Sequence, residues 1–240
     1  MPSKEKDSNV SINELLEQFI NGSVRKRKSL TNLLEQRSSE LEDLGQTLLE
    51  SFDPNGDDWA AGWILQIINR HNPESLKNIL PLGKSVWFSS PSDAEIDYSP
   101  LQTSLIAEEF EEADRFTSAK LRELAGNEAV SRGYVYFSEV EFIPKTDLST
   151  IDRLWVAFSQ GKFGFTSQAS LLKSLGGRYD RLWPRIGWKV DGVWTRYPTS
   201  FTWSLLAPEG HMPLINQLRG VRLMDAILNH PGIKDRNNPQ

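Results

Sequence analysis

Three polar side chains near the C-terminus, Asn216, Arg219 and Arg222, recur at a spacing of three residues. On a helix of 3.6 residues per turn this spacing turns each one about 60° from the next, so all three share one sector. Amide and guanidinium groups donate hydrogen bonds to carboxylates and phosphates. The set is therefore a candidate for holding the anionic edge of a ligand.

The element that must position this set is a helix predicted from about Pro213 to Asn229. One face of that helix is apolar and is expected to pack in the core: Leu214, Leu218, Val221, Met224 and Leu228. The polar sector also holds Ile215 and Leu223, which suits a ligand that is mostly apolar. In the alternative interpretation, the two arginines form ion pairs with the acidic cluster at 108–114.

Most of the common catalytic chemistry is absent from this sequence. The chain has no cysteine, which excludes disulfides, thiolate nucleophiles and cysteine-based metal sites. His71, His211 and His230 show no metal-ligand pairing, and no glycine-rich phosphate loop or nucleophile motif occurs. We therefore expect no catalytic residues, no catalytic cofactor and no metal site, and we expect a binding protein. His211 is interpreted as a structural loop residue rather than an axial ligand.

Charge and aromatic residues concentrate together toward the C-terminus. The whole chain carries a net charge of −5, but residues 151–240 contain 12 Lys/Arg and only 6 Asp/Glu. Of the 24 aromatic residues, 11 fall between Trp155 and Trp203. Two ligand classes fit such a region: bases on a phosphate backbone, or a planar macrocycle with carboxylates. The alternative is that the aromatics form the core and the cations a solvated surface.

The first 80 residues predict a small helical bundle without visible chemistry. Ser11 with Glu14 forms a capping-box pattern, Asp57 or Asp58 is expected to cap a second helix, and Asn72 precedes a proline at a helix start. No apolar run is long enough for a membrane span, and the N-terminal residues resemble neither a secretory signal nor a transit peptide. The predicted division is 1–82 for the bundle, 83–230 for a second unit and 231–240 for a loose tail.

The second unit is predicted to be mostly helical as well. Ser99 is expected to cap a helix with Pro100 at its first position, a longer helix spans Phe110 to Ala125, and Asp191-Gly192 predicts a small hairpin. A long loop is expected after Tyr197-Pro198, as far as Met212. The acidic cluster at 108–114 spreads its carboxylates around a helix, so a solvated face is favoured over cation binding.

Five spaced motifs in this unit carry a family resemblance. They are YFSEVE at 136–141, LWPRIGWK at 182–189, VWTRYP at 193–198, FTW at 201–203 and GHMPLINQLRGVR at 210–222. Together they closely resemble the genomes-uncoupled family of porphyrin-binding magnesium chelatase regulators, over about residues 84 to 230. The first 80 residues resemble the N-terminal helical bundle of cyanobacterial and algal members in general type, without matching motifs.

The resemblance implies a helical core shaped like a cupped hand, with a concave face for protoporphyrin IX and Mg-protoporphyrin IX. The residues it carries over to the ligand face are Phe137, the long loop before the last helix, Asn216, Arg219 and Arg222. Packing of an apolar ring adds Trp194, Tyr197, Phe201 and Met212 to the predicted porphyrin-binding set. The family often has tryptophan where this chain has Tyr197, which adds a hydroxyl and removes apolar area.

The function implied by this resemblance is that of a non-catalytic regulator which stimulates magnesium chelatase in chlorophyll biosynthesis. Its implied partner is the large porphyrin-binding subunit of that enzyme. We expect a monomer that binds no nucleic acid, in the cytoplasm of a cyanobacterium or the chloroplast stroma, and peripheral membrane association stays open. The alternatives are a single-strand nucleic-acid-binding module, and an enzyme acting on the tetrapyrrole through Glu139 or Glu141. Those two carboxylates are more simply interpreted as ion-pair partners.

Overall fold

The computed structural model describes residues 10–80, 86–215 and 220–237. Within these ranges the chain forms thirteen α-helices, one 3-10 helix and a single hairpin of two short strands. This confirms the predicted mainly α fold with one small hairpin. None of the described helices is both long enough and apolar enough to cross a membrane.

The N-terminal part consists of five helices: α1 (Ile12–Ile20), α2 (Val24–Glu35), α3 (Ser38–Leu49), α4 (Trp59–His71) and α5 (Pro73–Ile79). The starts of α1, α4 and α5 follow the predicted caps. The Ser11 hydroxyl accepts from the Glu14 amide at 3.2 Å, and the Asp58 carboxylate accepts from the Ala60 amide at 2.9 Å. Such side-chain oxygens satisfy amides that have no partner within the first helical turn.

The rest of the described residues form eight further α-helices, the 3-10 helix and the hairpin. In order they are α6 (Ser99–Ile106), α7 (Phe110–Ala125), α8 (Asn127–Arg132), a 3-10 helix (Phe137–Phe142), α9 (Lys145–Ala157), α10 (Phe165–Ser174), α11 (Tyr179–Arg185), β1 (Lys189–Val190), β2 (Val193–Trp194), α12 (Gly220–Asn229) and α13 (Pro231–Asn237). The bounds predicted for α7 are confirmed, and Gly126 ends it with a φ of +110°. Asp191-Gly192 forms the predicted turn, since Val190 pairs with Val193.

Three predicted boundaries differ from the structure. The helix α6 includes Ser99, and the carboxylate that accepts from the Ser99 amide belongs to Asp97, at 2.9 Å. Residues 213–215, predicted as the start of the last helix, are not helical, and the described part of that helix begins at Gly220. Residues 231–237, predicted as a loose tail, form the helix α13.

The helix α4 lies at the centre of the molecule and packs against α9. Ten of its thirteen residues are buried. A Cβ added at Gly62 would meet the Ala157 carbonyl oxygen at 2.2 Å, so this crossing requires glycine. The Gln66 side chain on α4 donates to the carbonyl oxygens of Leu105 and Phe158 at 2.9 and 2.8 Å. The five N-terminal helices therefore share one hydrophobic core with the remainder of the chain.

Two arginines, one buried and one partly buried, join the same parts of the chain. Arg153 on α9 donates to the carbonyl oxygens of Pro54, Gly56 and Ser89. Its burial lowers the pKa of the guanidinium to about 10. Arg236 on α13 pairs with carboxylates from both parts, Asp152 at 2.8 Å and Asp57 at 2.7 Å. The predicted boundary at 82/83 lies outside the described residues, so the two folding units stay a prediction.

Candidate functional site

A cavity of about 920 Å³ opens between α7, the segment before the 3-10 helix, the strand β2 and α12. It is lined by Arg115, Ser118, Leu121, Arg122, Gly133, Tyr134, Val135, Trp194, Thr195, Arg196, Tyr197, Thr199, Leu214, Ile215, Leu223 and Ile227. A volume of this size matches that of ordinary small-molecule pockets in proteins. We therefore take this cavity as the candidate ligand-binding site.

Much of the cavity wall is apolar. The aliphatic part consists of Leu121, Val135, Leu214, Ile215, Leu223 and Ile227. The aromatic part comes from Tyr134, Trp194 and Tyr197. Trp194 is held in place by Trp183, whose ring centroid lies 5.6 Å away. Walls of this kind suit a flat and largely apolar ligand, because ring faces pack well on aromatic and aliphatic side chains.

Three arginines bring positive charge to this wall. Arg115 and Arg122 lie on one face of α7, and Arg196 follows the strand β2. Arg115 is paired with Glu111 at 2.7 Å and lies near Glu112 at 3.8 Å. Arg122 has no side-chain hydrogen bond or ion pair with any residue that the structure describes. Arg196 likewise lacks one among those residues, so two of the three guanidinium groups are available to an anion.

A buried carboxyl group lies behind the wall. The Oδ1 atom of Asp114 on α7 accepts from the Leu214 amide at 2.6 Å, while Oδ2 has no hydrogen-bond partner among the described residues. Burial raises the pKa of Asp114 to about 7, and interaction with the Leu214 amide and the Tyr197 hydroxyl opposes that rise. The Tyr197 hydroxyl has a raised pKa because it is partly buried and faces the carboxyl. Asp114 thus connects α7 with two segments of the cavity wall.

The structure brings some of the predicted ligand residues to this cavity and leaves others behind it. Trp194 and Tyr197 line it. Phe201 is buried and packs edge-on against Tyr197, with ring centroids 5.7 Å apart. Met212 is fully buried, and its carbonyl oxygen accepts from the Gly164 amide at 3.0 Å. Phe201 and Met212 therefore support the wall from behind, because their side chains are withdrawn from the open space.

Phe137 and Arg222 meet beside the cavity but do not line it. The Arg222 guanidinium lies over the Phe137 ring, 5.6 Å from its centroid, and the phenylalanine side chain is 48% exposed. Asn216 and Arg219 lie outside the described residues. Among the described residues Arg222 forms no ion pair with the acidic cluster, in which Glu108 pairs with Arg70 and Glu111 with Arg115.

His211 has no free ring nitrogen for a metal. Its Nδ1 atom lies 2.7 Å from the Ile186 carbonyl oxygen, and its Nε2 atom accepts from the Thr202 amide at 3.3 Å. This geometry fixes the neutral tautomer with the proton on Nδ1. Burial lowers the pKa of the ring, which also favours the neutral form. His211 is a structural residue of the long loop, as the sequence predicts.

Glu139, one of the two residues weighed for catalysis, has structural partners. The Glu139 carboxylate pairs with Arg132 at 2.6 Å and accepts from the Tyr136 amide at 2.7 Å. Arg132 in turn lies over the Tyr136 ring, 3.9 Å from its centroid. Among the described residues, no group of three or more metal-ligating side chains comes together. The ion-pair interpretation of Glu139 is therefore confirmed.

The aromatic residues of the basic C-terminal region mostly belong to the core. Of the eleven between Trp155 and Trp203, seven are buried and only Tyr197 is exposed. An exposed stacking platform for unpaired bases needs several aromatic faces in solvent. This region offers one such face, which gives no support to the nucleic-acid alternative.

The arginines of α7 and β2 were missed by the sequence analysis. Arg115, Ser118 and Arg122 follow one another at spacings of three and four, which places them on one helix face. The prediction for this helix considered only its acidic residues and not the cationic face formed by Arg115 and Arg122. The signal was present, but nothing in the local sequence indicated that the cationic face would line the cavity.

Comparison with known proteins supplies a family for this arrangement. A sequence profile of the family described as GUN4-like matches residues 91–231, which include every residue of the cavity wall and leave α1 to α5 outside the match. The chain is 51% identical over 173 residues to a Ycf53-like protein of Synechocystis sp. (strain ATCC 27184 / PCC 6803 / Kazusa), covering 72% of this chain and 74% of that protein.

Two further relatives have more informative names. The chain is 35% identical over 143 residues to a protein of Arabidopsis thaliana named "Tetrapyrrole-binding protein, chloroplastic", covering 56% of this chain and 54% of that one. The solved structure of GUN4 from Chlamydomonas reinhardtii superposes with a TM-score of 0.57 at 40% identity, over 61% of this chain and 93% of that one.

Proposed function

The chain belongs to the GUN4-like family, and on that premise we propose that it is a non-catalytic, tetrapyrrole-binding regulator. Its ligands are protoporphyrin IX and Mg-protoporphyrin IX, and its activity is to stimulate magnesium chelatase in chlorophyll biosynthesis. The observation that carries this proposal is the cavity of about 920 Å³, with apolar walls and unpaired arginines.

The chemical groups of a porphyrin match those of the cavity wall. The macrocycle is flat and apolar, and its two propionates are ionised at neutral pH. Packing the ring against Trp194 and Tyr197 on one side and the aliphatic residues of α12 on the other would remove apolar area from water. At about 25 cal/mol per Å², that burial contributes several kcal/mol. The propionates then need cations where the ring meets solvent.

We assign the propionate contacts first to the polar sector of the last helix, Asn216, Arg219 and Arg222. The position of Arg222 over the exposed Phe137 ring supports this assignment, because it puts a cation and an aromatic face together beside the cavity. Phe201 and Met212 act from behind the wall, where they hold the loop that carries Tyr197. Specific iron coordination is not part of the proposal, since both ring nitrogens of His211 are engaged.

The proposed partner is the large porphyrin-binding subunit of magnesium chelatase. The named relatives come from a cyanobacterium and from a chloroplast, which supports a cyanobacterial cytoplasm or a chloroplast stroma as the setting. A monomer there could meet its partner at a membrane surface without an anchor of its own. Delivery of substrate porphyrin, or removal of product, would account for stimulation without catalysis.

The test is a titration of the full chain with protoporphyrin IX and with its magnesium form. Trp194 lines the cavity and its neighbour Trp183 lies 5.6 Å away, so a bound ring should quench tryptophan fluorescence. We expect saturable one-to-one quenching together with a shift of the porphyrin absorption band. The double substitution Arg219→Ala with Arg222→Ala should weaken binding about tenfold or more, because two charge-assisted contacts are lost.

Two further measurements separate the proposal from its alternatives. An oligonucleotide titration at low salt should give a flat anisotropy, whereas salt-dependent binding would favour the nucleic-acid module. Mass spectrometry after long incubation should recover unaltered porphyrin. Absence of porphyrin binding at micromolar ligand would overturn the proposed function, and binding without any effect on chelatase turnover would overturn the regulatory part of it.

A further inference from the structure

The cavity wall formed by α7 holds a guanidinium group that nothing in the described structure neutralises. Arg122 is partly buried and lines the cavity, yet its side chain has no hydrogen bond or ion pair with any described residue. Its positive charge is therefore not balanced by a described side chain at the cavity wall, where the anionic group of a ligand can reach it. Arginines placed in this way commonly serve a ligand, because the planar fork fits a carboxylate.

The neighbours of Arg122 along the helix explain why it stays unpaired. On an α-helix, side chains three and four residues away are the ones within reach. For Arg122 these are Ser118, Ala119, Ala125 and Gly126, none of which is acidic. Arg115 differs, since Glu111 and Glu112 occupy the same relative positions and pair with it. The helix therefore neutralises one of its two cavity arginines and leaves the other free.

The surroundings of Arg122 favour a ligand that is apolar beside its anionic group. Leu121 and Val135 line the same wall, and Tyr134 adds an aromatic ring. A small inorganic anion gains nothing from such neighbours, whereas a carboxylate on an apolar ring system contacts both kinds of group. The surroundings of Arg122 therefore favour such a ligand independently of the residues of the last helix.

We infer that Arg122 binds a carboxylate of the tetrapyrrole, as a second anion contact on the wall opposite the last helix. The inference rests on the proposed function and names a contact that the assignment to the last helix does not contain. It implies that cations on both walls of the cavity recognise the carboxylates of the ligand, so that α7 contributes to ligand specificity.

The test compares protoporphyrin IX with its dimethyl ester, which keeps the ring and removes both charges. The full chain should bind the free acid about tenfold more tightly than the ester. The substitution Arg122→Gln should weaken binding of the acid about tenfold and change binding of the ester less than twofold. Arg122→Lys keeps the charge but not the planar fork of the guanidinium. Its affinity for the acid should therefore lie between that of the parent chain and that of Arg122→Gln.

A matched control removes one positive charge from the same helix away from the cavity. Lys120 is paired with Glu123 at 2.6 Å and does not line the cavity, so Lys120→Gln should leave the affinity for the acid within twofold of the parent chain. Near-ultraviolet circular dichroism of each variant checks that the fold is retained.

The outcomes separate the two levels of the argument. Unchanged affinity of Arg122→Gln for the acid, in a chain that binds porphyrin, would overturn this inference and leave the proposed function standing. An equal loss for acid and ester would also overturn it, because Arg122 would then act through packing. Failure of the parent chain to bind either ligand would overturn the proposed function and the inference together.

Discussion

The molecule uses its arginines in opposite ways on its two sides. Where the N-terminal helices meet the rest of the chain, Arg153 donates to three carbonyl oxygens and Arg236 joins two carboxylates. Around the cavity, Arg122 and Arg196 have no such partner among the described residues. Buried polar groups are normally paired, since an unpaired one costs free energy. The paired arginines therefore belong to the fold, and the unpaired ones are available for binding.

The carboxyl groups show the same contrast. Asp152 is fully buried and keeps an arginine and the Thr166 amide as partners. Asp114 is equally buried behind the cavity wall, but its Oδ2 atom has no partner among the described residues. Burial raises the pKa of both carboxyl groups. The two carboxyl groups therefore differ in pairing: Asp152, where the two parts of the chain meet, has partners for both oxygens, whereas Asp114, behind the cavity wall, has one oxygen without a partner among the described residues.

The largest expected effect is on the free energy of unfolding, for a change where the N-terminal helices meet the rest of the chain. Arg236→Met removes the cationic partner of the buried Asp152 carboxylate and also releases Asp57. Leaving a buried carboxylate without its cation should lower the free energy of unfolding by about 3 kcal/mol. Urea denaturation of the two proteins at pH 7 measures this difference.

A control for this change exists two residues earlier on the same helix. Lys234 is exposed and has no ion pair among the described residues, so Lys234→Met should change the free energy of unfolding by less than about 0.5 kcal/mol. If Arg236→Met were equally harmless, α13 would not join the two parts of the chain, and the contrast between the two sides would fail.

An intermediate effect is expected from Asp114→Asn, and it depends on pH. The pKa of Asp114 is about 7 in the folded chain and about 3.9 in an unfolded one. Between these values the folded state keeps a proton that the unfolded state has lost, so stability falls as pH rises toward 7. Asparagine does not titrate and still accepts from the Leu214 amide.

The measurement is the difference in unfolding free energy between Asp114→Asn and the parent chain at pH 5 and pH 7. This difference should move in favour of the variant by roughly 2 kcal/mol, since each pKa unit corresponds to about 1.4 kcal/mol. Burial lowers the pKa of His211 and His230, and those contributions are common to both proteins and cancel. A difference independent of pH would show that Asp114 is already ionised at pH 5.

The smallest effect is expected where the cavity arginines are removed. Arg122→Gln combined with Arg196→Gln deletes two cations that have no partner among the described residues. The free energy of unfolding should change by less than about 0.5 kcal/mol, because no paired interaction is lost. If urea or thermal unfolding showed that the free energy of unfolding falls by about 2 kcal/mol or more, these arginines would stabilise the fold. The contrast between paired arginines in the fold and unpaired arginines at the cavity would then be wrong.

Local signals in the sequence were sufficient for most of the fold. The side-chain caps at Ser11 and Asp58, the bounds of α7 and the Asp191-Gly192 turn all depend on residues within a few positions of one another. Such signals can be detected without knowing the tertiary structure. The same is true of the spaced motifs, which indicated the family that the profile match shows.

The errors arose where a distant partner decides the conformation. Residue 214 is not helical, and its amide is bonded to a carboxyl group that lies 100 residues earlier in the chain. The predicted loose tail became α13, whose Arg236 pairs with Asp57 across 179 residues. Periodicity and capping patterns carry no information about bonds of that kind. The orientation of the cationic face of α7 was missed for the same reason.

The crossing of α4 and α9 at Gly62 has a consequence for motion in solution. Because a single added carbon at that position would lie 2.2 Å from the Ala157 carbonyl oxygen, the backbones of the two helices are in direct contact there. We therefore expect the N-terminal helices and the cavity-bearing part to tumble as one particle. A dye attached to α2 would report the rotational diffusion of the entire 27.3 kDa chain.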